Sequence, residues 1–145
     1  MMNLYYFFHF VQKKHQNKKW PFFKDLILKL KQDFKNKYSI LLAPGQNEIE
    51  EANLLNAKVV LKNNNPIDIK TLISIIHKAK FIVANDTGPA HIASHLDKKG
   101  LVLFGSHTSP KKVSIENYNF KAITVKNLKD LDVETVLKEV KSRLN

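Results

Sequence analysis

Apolar positions along the chain fall into two alternating patterns. Short, nearly unbroken runs at residues 4–11, 38–43, 57–61, 81–84, 101–104 and 120–125 read as buried strands. Between them, apolar residues recur every three or four positions. Phe22, Phe23, Leu26, Ile27 and Leu30 form such a face, so a helix is expected from Trp20-Pro21, with the proline in its first turn. Residues 46–55 read as a helix with acids in its first turns. Asp68 can cap a helix that runs to about residue 79 and buries Leu72, Ile73, Ile75 and Ile76. Residues 87–96 and 132–144 are the last two helices. The stretch 13–19 is a basic loop, 63–66 (Asn-Asn-Asn-Pro) a turn, and 108–119 irregular.

Strand and helix alternate, which predicts an α/β fold: a Rossmann-like parallel sheet with helices on both faces. Strands that are apolar throughout fit a sheet covered on both sides. A chain of 145 residues makes one such domain, spanning 1–145. In these sheets ligands bind beyond the carboxyl ends of the strands. The turns to read for chemistry are therefore 11–20, 43–48, 85–91 and 105–110.

Composition narrows the chemistry. There is no cysteine, which excludes disulfides, Cys-zinc sites and thiol catalysis. The run at 4–11 is too short to span a membrane, and it lacks the flanks of a signal peptide. A cytoplasmic setting is the expectation. The net charge of +11 asks for a polyanionic partner or a basic surface, and residues 1–38 carry +7 of it, nine lysines against Asp25 and Asp33. Arg143 is the single arginine, and lysine cannot supply the bidentate forks that read bases. Nucleic acid is therefore not the expected partner. Solvated surface and peripheral contact with an anionic membrane face, such as the inner membrane, are the two readings of this charge.

The segment 81–96 carries the strongest signal. An apolar strand runs straight into Asn85-Asp86-Thr87-Gly88-Pro89 and then a helix of small residues. Gly88 permits close approach of a ligand to the backbone, and Pro89 suits the first helical turn. The first-turn N–H groups and the helix dipole favour phosphate. An N-cap role for Asp86 or Thr87 explains the same residues without a ligand. His91 and His95 lie four apart, a spacing that binds zinc in metalloproteases. Ile92 stands where those need Glu, and no third ligand is evident, so neither a metal nor another cofactor is expected.

Asn-Asp-Thr-Gly-Pro-Ala-His-Ile-Ala at 85–93, followed by Leu-Val-Leu-Phe-Gly at 101–105, resembles the donor-binding half of glycosyltransferase family 9, the lipopolysaccharide heptosyltransferases. Three further features match in order. Lys18-Lys19-Trp20-Pro21 is similar to the family's Lys-x-Trp-Pro, Gly45-Gln46-Asn47-Glu48 to its Gly-x-x-Glu, and residues 104–110 to its Phe-Gly-Pro-Thr-x-Pro. The resemblance implies the C-terminal half of a GT-B fold, binding an ADP-heptose-like nucleotide-sugar without a metal. It implies that Lys18 contacts the donor phosphates, Glu48 the nucleoside and Asp86 the sugar. Thr87, Gly88 and Pro89 then form the pyrophosphate turn, with His91 beside it. Without the resemblance, Lys18 reads as a solvated loop lysine, Glu48 as a first-turn acid and His91 as a core histidine.

The sequence departs from the family at three places. The loop after the first strand has no glycine. Thr108-Ser109-Pro110 lacks the acid that often precedes that proline, and Ser106-His107 stands where a single proline is common. Length departs too, since a two-domain relative needs about twice this chain. The acceptor domain, with its catalytic base, is expected elsewhere, and the chain is read as a truncated product or half of a split enzyme. A partner chain or self-association through an exposed apolar face, including the aromatic residues 5–8, follows from that reading. A non-catalytic nucleotide- or phosphate-binding module is the alternative.

Overall fold

The computed structural model describes the backbone of residues 4–8 together with residues 18–35 and 37–144. Six strands form one sheet: β1 (Leu4–Phe8), β2 (Ser39–Leu42), β3 (Lys58–Val59), β4 (Phe81–Asn85), β5 (Gly100–Phe104) and β6 (Phe120–Thr124). They pair in the order β3-β2-β1-β4-β5-β6, and every pairing is parallel. The strand order reverses between β1 and β4, where Tyr5 pairs with Phe81 and Phe8 with Ala84. Parallel neighbours cannot be joined by tight hairpins, so helices make the crossovers. These are α1 (Phe23–Phe34), α2 (Ile49–Asn53), α3 (Ile69–Lys78), α4 (Gly88–His95) and α5 (Pro110–Val113), and α6 (Val133–Leu144) follows the last strand.

Strand alternation sends side chains to two cores. Phe81 and Val83 of β4, with Leu101 and Leu103 of β5, pack on one face against Phe23, Leu26, Ile27 and Leu30 of α1 and Val136, Leu137 and Val140 of α6. Ile82, Ala84, Val102 and Phe104 point the other way, onto Ile76 of α3 and Ala90 and Ala93 of α4. The helices thus cover both faces, as the unbroken apolar strands require. Across the outer surface, Lys29 of α1 pairs with Glu134 of α6 at 2.7 Å, and Lys141 pairs with Asp33. Part of the basic surface is therefore neutralised locally. No helix among the described residues is long and apolar enough to cross a membrane.

Several elements differ from the sequence expectation. Pro21 lies in a turn, and α1 begins two residues later at Phe23. The helix expected over 46–55 is a 3-10 turn at Gln46–Glu48 followed by the short α2. β3 is only two residues long. It is an edge strand with one neighbour, and the chain leaves it for a turn in which Asn63 and Asn64 are left-handed (φ 51° and 64°). Ile73 is 40% exposed rather than buried. At about 100° per residue it lies on the rim of the apolar arc, while Ile76 occupies the centre. Inside the stretch read as irregular, Ser109 caps α5 by accepting a hydrogen bond from Lys112 N at 3.2 Å, with Pro110 opening the helix. The expected strand residues 9–11, most of the basic loop, and the side chains of the aromatic residues 5–8 lie outside the described residues.

Candidate functional site

β4 ends at Asn85, the fold's switch point is beside it, and the chain turns there into α4. Thr87 is the N-cap: its Oγ1 accepts from Ala90 N at 3.4 Å, and Gly88 and Pro89 open the helix. Pro89 has no N–H and that of Ala90 goes to Thr87, so in this first turn the N–H of Gly88 is the one left to a ligand. Gly88 is exposed. A Cβ built on it would meet nothing within 4 Å, and its φ is not positive. The fold itself thus has no need of a glycine there, and the space over the turn is open.

Asp86, just before the cap, is 6% exposed. Three basic side chains converge on it. Lys18 Nζ is 3.6 Å from Oδ2, His91 Nε2 is 3.5 Å from Oδ1, and His107 Nε2 is 3.2 Å from Oδ2. Each comes from a different segment: Lys18 from the loop before α1, His91 from α4, and His107 from the turn after β5. Charge offset of this kind allows a carboxylate to be buried. The Lys18 ammonium is the fixed positive charge of the cluster, and the two histidines add to it only when protonated.

The loop that delivers Lys18 is fixed by its neighbours. Trp20 N donates to Asn85 Oδ1 at 2.9 Å, and Trp20 Nε1 donates to the Leu131 carbonyl at 2.8 Å. The indole is fully buried, with Phe23 edge-on at 5.0 Å. Lys19 pairs with Glu51 on α2. The tryptophan therefore sits in the core while Lys18, two residues before it, reaches the end of β4.

Of the residues singled out from the sequence, the structure brings Lys18, Asp86 and His91 together, with Thr87, Gly88 and Pro89 continuous with them. Glu48 stands apart, at the turn after β2. It accepts a hydrogen bond from Gly45 N at 2.7 Å, which is the first-turn role open to it without a ligand. Its strand is two places from β4 in the sheet, about 10 Å at the usual strand spacing. His107 and Asn85 were not among the expected site residues. His107 was noted only as a departure in the turn 105–110. Its position at the carboxyl end of β5 was the signal that could have found it. Among the described residues no group of three or more His, Cys, Asp or Glu side chains could hold a metal ion.

A parallel sheet of this order, with helices on both faces, defines the Rossmann-type class of α/β domains. Within that class the chain belongs to glycosyltransferase family 9 (heptosyltransferase), whose model matches residues 3–141. It is similar in structure to the E. coli heptosyltransferase WaaC with ADP, at a TM-score of 0.86 and 22% identity over 98% of this chain and 44% of that one. The same enzyme with ADP-2-deoxy-2-fluoro heptose matches at 0.82 and 21%, over 97% and 43%. E. coli ADP-heptose heptosyltransferase II matches at 0.81 and 20%, over 99% and 46%. The chain thus corresponds to under half the length of each of these enzymes. No curated protein sequence matches it.

Proposed function

We propose that this chain is the donor-binding half of a heptosyltransferase-like inverting glycosyltransferase of lipopolysaccharide core synthesis, and that its ligand is an ADP-heptose-like nucleotide-sugar. The observation that carries this reading is the convergence of Lys18 and His91 on buried Asp86, directly beside the open first turn of α4. A diphosphate over that turn would meet the helix dipole, the N–H of Gly88 and the Lys18 ammonium. These are the groups that stabilise charge developing on a leaving diphosphate. Asp86 then faces the sugar. Glu48, two strands away, lies at a distance suited to a ribose hydroxyl on the same nucleotide. That WaaC is found with ADP and with an ADP-sugar analogue supports the choice of nucleotide.

The reaction needs a second half. Transfer with inversion forms a bond from an acceptor hydroxyl oxygen to the anomeric carbon while the bond to the diphosphate oxygen breaks. The acceptor's proton passes to a general base. The acids described here are engaged in holding the site, so the base is assigned to an acceptor-binding half and no catalytic residue to this chain.

A thermal-shift titration with ADP, ADP-heptose and UDP-sugars tests the assignment. A ligand that binds the folded state alone raises the melting temperature by mass action. The expected result is a rise with ADP and a larger one with ADP-heptose, both reduced in Lys18→Ala and Asp86→Asn, with no transfer by the chain alone. Equal affinity for ADP and ADP-heptose would favour a non-catalytic nucleotide-binding module. No shift with any nucleotide would refute the donor-site reading.

A further inference from the structure

The turn after β5 carries His107, whose ring the sequence motif does not account for. The imidazole is 5% exposed. It lies almost parallel to the Phe104 ring, at 5.7 Å and 10°. Its Nε2 is 3.2 Å from Asp86 Oδ2. An ionised carboxylate only accepts hydrogen bonds, so Nε2 must carry the proton, whatever the state of the other ring nitrogen. Lys18 approaches the same Oδ2 but stops at 3.6 Å, outside hydrogen-bonding reach. The histidine is therefore the bonded partner of that oxygen, and the lysine is attracted to it without giving up an N–H. On the other side of the carboxylate, His91 faces Oδ1 at 3.5 Å.

We propose that His107 is a positioning residue that occupies Asp86 Oδ2 and so keeps the Lys18 ammonium available for an anionic ligand, the diphosphate of the nucleotide. This rests on the donor-site reading above and extends it to a residue outside the family motif. Without the imidazole N–H, Oδ2 would lose its short partner, and a small shift of the flexible lysine stem would let Lys18 close onto it. Its charge would then be spent on Asp86. Phe104 holds the ring plane, so the N–H points at the carboxylate before any ligand arrives.

Two measurements test this. In the ligand-free protein, ring 15N shifts should show His107 Nε2 protonated, and its signal should move in Asp86→Asn. An unprotonated Nε2 would overturn the proposal whatever the protein binds. In ADP titrations, His107→Phe, which keeps the stacked ring but loses the donor, should weaken binding about tenfold, the scale of one hydrogen bond to a charged group. His107→Gln restores an N–H donor and should recover most of that loss. On a Lys18→Ala background, which weakens ADP binding but leaves it measurable, His107→Phe should cost nothing further, because its effect passes through the lysine. Independent, additive losses would indicate a merely structural role and overturn it. Wild-type affinity in His107→Phe, with binding still weakened in Lys18→Ala, would remove His107 and leave the donor site standing. Failure of the wild-type chain to bind ADP would remove both.

Discussion

Gly88→Ala separates what the fold requires from what a ligand requires. The glycine is the first residue of α4, its φ is not positive, and an added Cβ would meet nothing within 4 Å. Alanine is therefore compatible with the native backbone and narrows the unfolded ensemble, a gain of about 0.4–1 kcal/mol. Unfolding entropy of about 2.1 cal/mol/K per residue gives about 0.3 kcal/mol/K for 145 residues, so Tm should rise by about 1–3 °C. Binding should move the opposite way. The open space that makes the methyl harmless to the fold is the space assigned to the diphosphate. A phosphate pushed off the turn loses at least one charge-assisted hydrogen bond, about 1.5–3 kcal/mol, which weakens ADP roughly 10- to 150-fold. Calorimetric titration with ADP, alongside a thermal melt without ligand, measures both effects. Wild-type affinity in Gly88→Ala would refute the placement of the diphosphate at this turn. A lowered Tm would refute the claim that the fold does not need this glycine.

Two further substitutions probe the frame around the site. Gly100→Ala would place a Cβ 2.5 Å from the Ile82 carbonyl oxygen and 2.7 Å from the Phe120 ring, inside the sheet where the backbone cannot retreat. Overpacking of this kind costs about 1–3 kcal/mol, a fall of roughly 3–10 °C in Tm, and an unchanged melt would count against it. Asp132 caps α6 by accepting from Thr135 N at 2.8 Å. Hydrogen bonds from the Thr135 side chain and then its backbone hold the Asp132 carboxyl below the ordinary carboxylate range. A lowered folded-state pKa means stability that is present above the unfolded value and lost as pH falls through the folded one. Asp132→Ala should therefore lower Tm at neutral pH, and the gap from wild type should narrow as pH falls below the ordinary carboxylate range; a gap that stays constant throughout acidification would contradict the capping role.

Much of this architecture was legible because its causes are local. Strands such as 81–85 and 100–104 are buried along their whole length, so their composition alone marks a doubly covered sheet. The cap, glycine and proline of residues 87–89 announce a helix start by their own stereochemistry. What could not be read depends on contacts distant in sequence. Nothing local marks Gly100, since the atoms that exclude a side chain belong to β4 and β6. Asn85 looks like part of a turn, yet it is fully buried because it receives the Trp20 N–H from 65 residues earlier. His107 sits where the chain departs from its family's pattern, and its partner lies 21 residues away. Ile73 was misplaced because a wide apolar arc does not say which edge the sheet covers.

The clamp on Trp20 bears on why the charges can be where they are. Lysine has a long, flexible stem, and holding it near a buried carboxylate costs side-chain entropy. Here the cost is met during folding. The indole is fixed by the Leu131 carbonyl and its backbone N–H by Asn85, so the residue two places before it starts from a fixed anchor. Asp86 follows directly on Asn85, the same residue that receives this hydrogen bond. The cation and the carboxylate are thus referred to one point at the end of β4, rather than to two independent loops. Groups fixed in this way before a ligand arrives need little reorganisation when it binds, which is the condition under which fixed charges stabilise a leaving diphosphate most effectively. A loop lysine without the tryptophan would offer the same charge but would have to be ordered by the ligand.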